Sequence, residues 1–250
     1  MRRKMLSLML SAAMVASVLT GCGSDDGTGS STPVDGSQAE SQGGEEQGDG
    51  QETGGEGELH LLYSSEVSTL NYLKTSSISE MEIPANTIDT LVETDNKGNL
   101  VPALATEWSQ DGLVWTFKLR EGVKWIDHTG AEVAEVTAQD FVDAMKYQLT
   151  PEYEAANARN FFGVIANAEE YYMGLVGSDE EGNTYEPIDF SEVGVKAVDT
   201  YTLEYTLAGE VPYFLSSLVY VTYMPAYGPL LEEKGASFAT AADSMYYCGA

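Results

Sequence analysis

The stretch "GNLVPALATEWSQDGLVWTFKLREGVKWIDHTG", Gly98 to Gly130, decides how the rest of the chain is read. Leu113, Trp115, Phe117 and Leu119 alternate with Val114, Thr116 and Lys118, which is the period of a strand with one face more buried than the other. Arg120-Glu121-Gly122 then reads as a tight turn, because Gly122 can take a positive φ. Trp108, Trp115 and Trp125 are large apolar anchors spread along the stretch. All of these are features of a scaffold and none is a reaction centre.

Downstream, Thr137 opens a helix, TAQDFVDAMKYQL. The Thr137 hydroxyl is placed to cap the first turn, and Asp140 stands three residues on, at capping-box spacing. Phe141, Val142, Met145 and Leu149 line one face of that helix. Val193, Val195 and Ala197 form one alternating run and Leu203, Tyr205 and Leu207 the next, with Asp199-Thr200 at the turn of a predicted β-hairpin. Pro212 begins a second apolar helix, PYFLSSLVYV. Strands and helices interleave, so the expected class is α/β or α+β.

Upstream, Glu58-Leu59-His60-Leu61-Leu62-Tyr63 reads as the first strand of a folded unit over 58–250. Residues 22–57 hold no aromatic side chain and are dominated by Gly, Ser, Gln, Asp and Glu. Such a composition builds no core and predicts a disordered, self-repelling acidic tether. A tuned spacer and a plain linker both fit it. Before it, Arg2, Arg3 and Lys4 lead into an uncharged run from Met5 to Leu19, the pattern of a secretory signal over 1–21. A short transmembrane anchor is the other reading, but the run ends in small residues and not in a basic stop. Leu19-Thr20-Gly21-Cys22 resembles a bacterial lipobox, in which the cysteine thiol takes a diacylglycerol and becomes the mature N-terminus. That resemblance implies lipidation at Cys22 and a lipid-anchored protein on the extracellular or periplasmic face of the cell membrane.

The whole chain has 250 residues, 43% of them hydrophobic, which is enough for a sizeable core. Twelve Lys and Arg stand against 40 Asp and Glu, a net charge of -28. A surface so acidic repels nucleic acid and anionic lipid, and it also serves solubility. Two cysteines, Cys22 and Cys248, make no disulfide framework, and two histidines, His60 and His128, argue against a His-rich metal site. The chain holds no G-x-S-x-G, no H-E-x-x-H and no phosphate-binding G-x-x-x-x-G-K. Nothing selects a catalytic pair among its many carboxylates, so no enzyme activity, metal or cofactor is expected.

Five segments occur in a fixed order: SEVSTLNYLKTSS (65–77), the stretch 98–130, VTAQDFVDAM (136–145), FSEVGVKAVDTYTLEYTLAGEVPYFLSSLVYVTYMPA (190–226) and MYYCGA (245–250). As a set they resemble the extracellular solute-binding proteins of peptide-importing ABC transporters, the oligopeptide, dipeptide and nickel group known as solute-binding family 5. The resemblance implies an α/β, periplasmic-binding-protein-like two-lobe fold of the peptide-binding type, with an extra small domain. Family members are much longer, so this chain is expected to hold the N-terminal part and to lack most of the second lobe. HTGAEVAEVTAQDF departs from the family by lengthening a turn, where His128 is expected to face solvent.

The function implied by the resemblance is that of the substrate-binding component of an ABC importer, with a peptide as ligand and the permease and ATPase subunits as partners. The same scaffold also suits a nickel chelate, haem, an oligosaccharide or a signalling peptide, and a single lobe would leave the cleft open. The resemblance also places the loop 71–77 at the cleft, with Lys74 and Thr75 as ligand-facing candidates, and 156–162 near the ligand, with Asn157 and Asn160 as candidates. Asn both donates and accepts, which suits a peptide backbone. Tyr247 and Cys248 are implied near the crossing between lobes. For each of these six, an ordinary loop or packing role is the favoured reading of the residues alone.

Overall fold

The alternation over 113–119 becomes one of the two inner strands of the main sheet. The structure is a computed structural model that describes residues 66–249. The signal expected at 1–21, Cys22, the tether expected at 22–57 and the strand expected at Glu58–Tyr63 lie outside the described residues. Eight strands are described: β1 Val92–Thr94, β2 Leu100–Pro102, β3 Ala105–Asp111, β4 Val114–Leu119, β5 Lys124–Ile126, β6 Glu132–Glu135, β7 Val195–Asp199 and β8 Thr202–Thr206. Helices α1 Ile78–Met81, α2 Ala138–Gln148, α3 Ala168–Val176, α4 Phe214–Ser217 and α5 Gly228–Lys234 interleave with them.

The main sheet has the order β3-β4-β8-β7 and is antiparallel throughout. Its register puts Trp108, Phe117, Leu203 and Ala197 in one row and Trp115, Tyr205 and Val195 in the next. Partners directly opposite share a face, so the apolar residues of all four strands gather on one side. The other side carries Thr116, Glu204 and Lys196 in one row and Lys118 opposite Thr202 in another, with Lys118 Nζ donating to Thr202 Oγ1 at 2.6 Å. On the apolar face Phe117, Tyr205, Phe214 and Tyr223 meet edge-on, at centroid distances of 5.6 to 6.2 Å. Such pairs contribute about 0.5–1.5 kcal/mol each beyond their burial.

Of the three tryptophans, only Trp125 is fully buried; Trp108 and Trp115 are half-buried against the core. Trp108 lies on β3, an edge of the sheet, and the Trp125 indole in β5 is bonded to Asp140 of α2; Trp115 is on the inner strand β4, so strand position alone does not set the burial. Gly122 takes the expected positive φ of 81°. The lengthened turn after β5 is organised by Asp127, whose Oδ1 accepts from Thr129 N, Thr129 Oγ1 and Ala131 N. His128 is exposed there, and the residues that follow pair as β6.

Helix α2 starts where its sequence says. The capping box closes between Thr137 and Asp140, with Thr137 N donating to Asp140 Oδ2 at 2.8 Å. Phe141, Met145 and Leu149 are buried and Val142 is half-buried, as the 3.6-residue period requires. The hairpin also forms, with its turn one residue later than expected, at Thr200-Tyr201 between the paired Asp199 and Thr202. Asp199 sets that turn by accepting from Tyr201 N and from the Thr202 hydroxyl. The second apolar helix is a correction: only Phe214–Ser217 is α-helical, followed by a 3-10 turn at Val221–Tyr223. Ser216 and Ser217 donate their hydroxyls to the carbonyls of Tyr213 and Phe214, a local alternative to continued helix.

Candidate functional site

The loop at 71–77 folds back on itself, because the Asn71 carbonyl accepts from both Lys74 N and Thr75 N. Asn71 is 1% exposed and donates its amide to the Tyr147 hydroxyl at 3.0 Å. Two bonds join the loop to a segment 82 residues away. Ala156 N donates to the Lys74 carbonyl at 2.9 Å, and Asn157 Nδ2 donates to the Thr75 carbonyl at 2.8 Å. Lys74 Nζ also pairs with Glu154 at 3.2 Å, between exposed groups where such a pair contributes little. The structure thus brings Lys74, Thr75 and Asn157 together, although they are distant in sequence.

Asn157 and Asn160 line a cavity of about 360 Å³ with Met81, Val164, Tyr213 and Tyr220. No charged residue lines it. Tyr213 and Tyr220 stand at 62% and 66% exposure, unusual for rings of this size. Uncharged walls, aromatic rims and a few convergent amides make a surface that fits an apolar side chain and hydrogen-bonds a backbone. Two roomier hollows, of about 550 and 640 Å³, are lined by none of the candidates from the sequence.

Thr75 turns its side chain away from solvent. It is buried, its hydroxyl donates to a carboxylate oxygen of Glu80, and its Oγ1 accepts from Ser77 N at 3.0 Å. The other Glu80 oxygen accepts from Ser68 N at 2.9 Å and Ser68 Oγ at 2.5 Å. These bonds, led by the Ser68 hydroxyl and then the Thr75 hydroxyl, lower the Glu80 pKa to about 2 against the opposing effect of burial. Next to Thr75, neither backbone group of Ser76 is hydrogen-bonded among the described residues.

Tyr247 and Cys248 do not line this cavity. Tyr247 exchanges two backbone bonds with Ile126, at 2.8 and 2.9 Å. Cys248 is 2% exposed, bridges to Ile88, and has its thiol pushed well above the usual range by burial. It is a packed, unreactive thiol. Among the described residues no cluster of His, Cys, Asp or Glu is placed to hold a metal, and no helix is long and apolar enough to cross a membrane.

The sequence reading missed Glu80, Tyr213 and Tyr220. The tyrosines were visible only as members of an apolar run read as helix core. Nothing in sequence marks Glu80 among 40 acidic residues.

Residues 99–250 match the family model described as bacterial extracellular solute-binding proteins, family 5 Middle. The chain is 41% identical over 192 residues to the oligopeptide-binding protein AmiA of Streptococcus pneumoniae, a match covering 75% of this chain and 27% of that protein. It is also similar to a solved substrate-binding domain of an oligopeptide ABC transporter from Bacillus anthracis, with 33% identity and a TM-score of 0.61 over 74% of this chain and 32% of the other. Listeria monocytogenes OppA, solved bound to peptide, matches at 28% identity and a TM-score of 0.63, over 75% of this chain and 34% of the other. The chain therefore spans about a quarter to a third of the length of these relatives.

Proposed function

Because the chain belongs to the bacterial extracellular solute-binding proteins of family 5, we propose that it serves as the substrate-binding component of an ABC importer and that its ligand is an oligopeptide. The observation that carries the peptide reading is the joined pair of segments 74–77 and 156–160 beside an uncharged, aromatic-rimmed cavity. The free backbone groups of Ser76 and the amides of Asn157 and Asn160 supply donors and acceptors for a peptide main chain. Main-chain pairing gives affinity without reading side chains, and the cavity adds room for an apolar one. One similar protein is named oligopeptide-binding and another was solved bound to peptide, which supports the same reading. The role of Lys74 and Thr75 is to shape the loop; contact with ligand falls to Ser76, Asn157 and Asn160. Tyr247 and Cys248 hold the C-terminal segment to the body of the fold. We assign no catalysed reaction to this site, and the permease and ATPase of the importer are the proposed partners.

Titration calorimetry of the intact gene product with a pool of di- to hexapeptides should release heat with little dependence on sequence. Silence with every peptide, alongside heat from a nickel chelate, haem or an oligosaccharide, would move the ligand to another class on the same scaffold.

Cys22 is the proposed lipid attachment point, on the cell membrane and facing outward, supported by the lipobox-like Leu19–Cys22 and the uncharged run before it. Cys22→Ala should shift the protein from the membrane pellet to the soluble fraction. Full retention in the pellet would overturn the lipid anchor.

A further inference from the structure

Glu80 is a buried carboxylate whose charge no ion pair of the described residues neutralises. It is 5% exposed, sits in α1, and gathers donors from both ends of the loop before it: the Ser68 N–H and hydroxyl on one oxygen, and the Thr75 hydroxyl on the other. A carboxylate accepting several directed bonds fixes its donors more firmly than a neutral acceptor does. The connections continue outward. Thr75 Oγ1 accepts from Ser77 N, the Thr75 carbonyl accepts from Asn157 Nδ2, and Asn157 lines the cavity. One unbroken series of bonds therefore runs from Ser68 through Glu80 and Thr75 to the cavity wall. Ser76, whose backbone groups are unbonded among the described residues, sits between two residues held by that series.

We infer that Glu80 is a positioning residue: it latches the loop 68–77 into the single conformation that presents the Ser76 backbone and the Asn157 amide to ligand. The latch touches no ligand and acts through Thr75. This inference rests on the peptide-binding reading above, and its effect is pre-organisation, since an ordered loop gives up less freedom on binding.

The test uses the intact gene product and penta-alanine, or whichever member of the di- to hexapeptide pool gives heat. Glu80→Gln, which keeps the shape but removes the charge, should weaken peptide binding about tenfold, the difference between a charge-assisted and a neutral set of hydrogen bonds. Thr75→Val should weaken it similarly, and the double variant no further, because both break the same series. Thr75→Ser, which restores the hydroxyl, should recover most of the lost affinity. A merely structural role for Thr75 would not distinguish Ser from Val in this way. In the ligand-free protein, amide exchange at Ser68, Ser77 and Ala156 should quicken about tenfold in Glu80→Gln while Phe117 and Leu203 in the main sheet keep their protection. Affinity within twofold of wild type in Glu80→Gln, or exchange unchanged at those amides, overturns the latch. If wild type binds no peptide, the proposed function falls, and the exchange experiment alone decides the latch: faster exchange supports it, unchanged exchange ends it.

Discussion

A Trp125→Ala chain is expected to lose about 3–5 kcal/mol of stability, the range for deleting a large buried aromatic side chain. Trp125 is completely buried, and its ring lies 6.4 Å from that of Tyr227. Its indole N–H also donates to Asp140 Oδ2 at 3.1 Å. Asp140 is a buried carboxylate that caps α2 through Thr137 and accepts weakly from Gly228 N at 3.4 Å. Burial raises its pKa above the ordinary carboxylate value, and its hydrogen bonds, Trp125's among them, pull the other way. Removing the indole therefore costs twice, once as a cavity and once as a less satisfied charge. The sign with pH follows. A carboxylate whose folded pKa is raised binds more protons folded than unfolded, so stability falls as pH rises through that interval. The deficit of Trp125→Ala should be larger at pH 7 than at pH 4, because acid moves Asp140 toward its neutral form, which needs the indole less. Trp125→Phe separates the two losses, since it refills most of the volume and should cost only about 1.5–3 kcal/mol for the one hydrogen bond lost to a charged acceptor, whose bond from Thr137 N remains. Urea unfolding of the three proteins at both pH values measures this. A Trp125→Ala midpoint within experimental error of wild type would show that this indole is no anchor.

Trp125 also marks the limit of what the sequence discloses. Alternation told which residues of 113–119 share a face, and the register puts Trp115, Phe117, Tyr205 and Leu203 on one side as that period requires. It could not tell which of these side chains the rest of the fold would cover, so three tryptophans looked alike while only one is wholly enclosed. Helix α2 was legible because cap and period agree locally. The helix expected after Pro212 was not, because the Ser217 hydroxyl occupies the Phe214 carbonyl and Leu218 N turns to Leu215 instead. The site divides in the same way. Lys74, Thr75, Asn157 and Asn160 were reached through resemblance, and the structure joins the first three by bonds spanning 82 residues, which no local pattern encodes. Glu80 was illegible because its role depends on where Ser68 and Thr75 point, and that is decided by the fold of the loop.

Gly194→Ala should be the second large loss, more than about 3 kcal/mol, at the upper end for overpacking because backbone and not side chain must yield. Gly194 lies just before β7, where its N–H donates to the Ala166 carbonyl and its own carbonyl accepts from Thr206 N, both at 2.8 Å. A Cβ added there would stand 2.2 Å from the Thr206 carbonyl oxygen and 3.0 Å from Ala166 N. Those two atoms are themselves bonded to each other at 3.0 Å, so neither can retreat without opening the ladder. The same ladder reaches the cavity, since Ala208 N donates to the carbonyl of Val164, a lining residue, at 2.9 Å. Gly209 provides the matched control. A Cβ there meets nothing within 4 Å, and its φ lies outside the left-handed region. Both substitutions remove the same freedom from the unfolded chain, which alone would stabilise by about 0.4–1 kcal/mol. Gly209→Ala should therefore be neutral or slightly stabilising, and the difference between the two variants isolates the clash. Thermal unfolding of the pair measures it. Gly194→Ala melting alongside Gly209→Ala would mean that β8 and the 164–166 segment part easily, and that the cavity wall formed by Val164 is not held by this ladder.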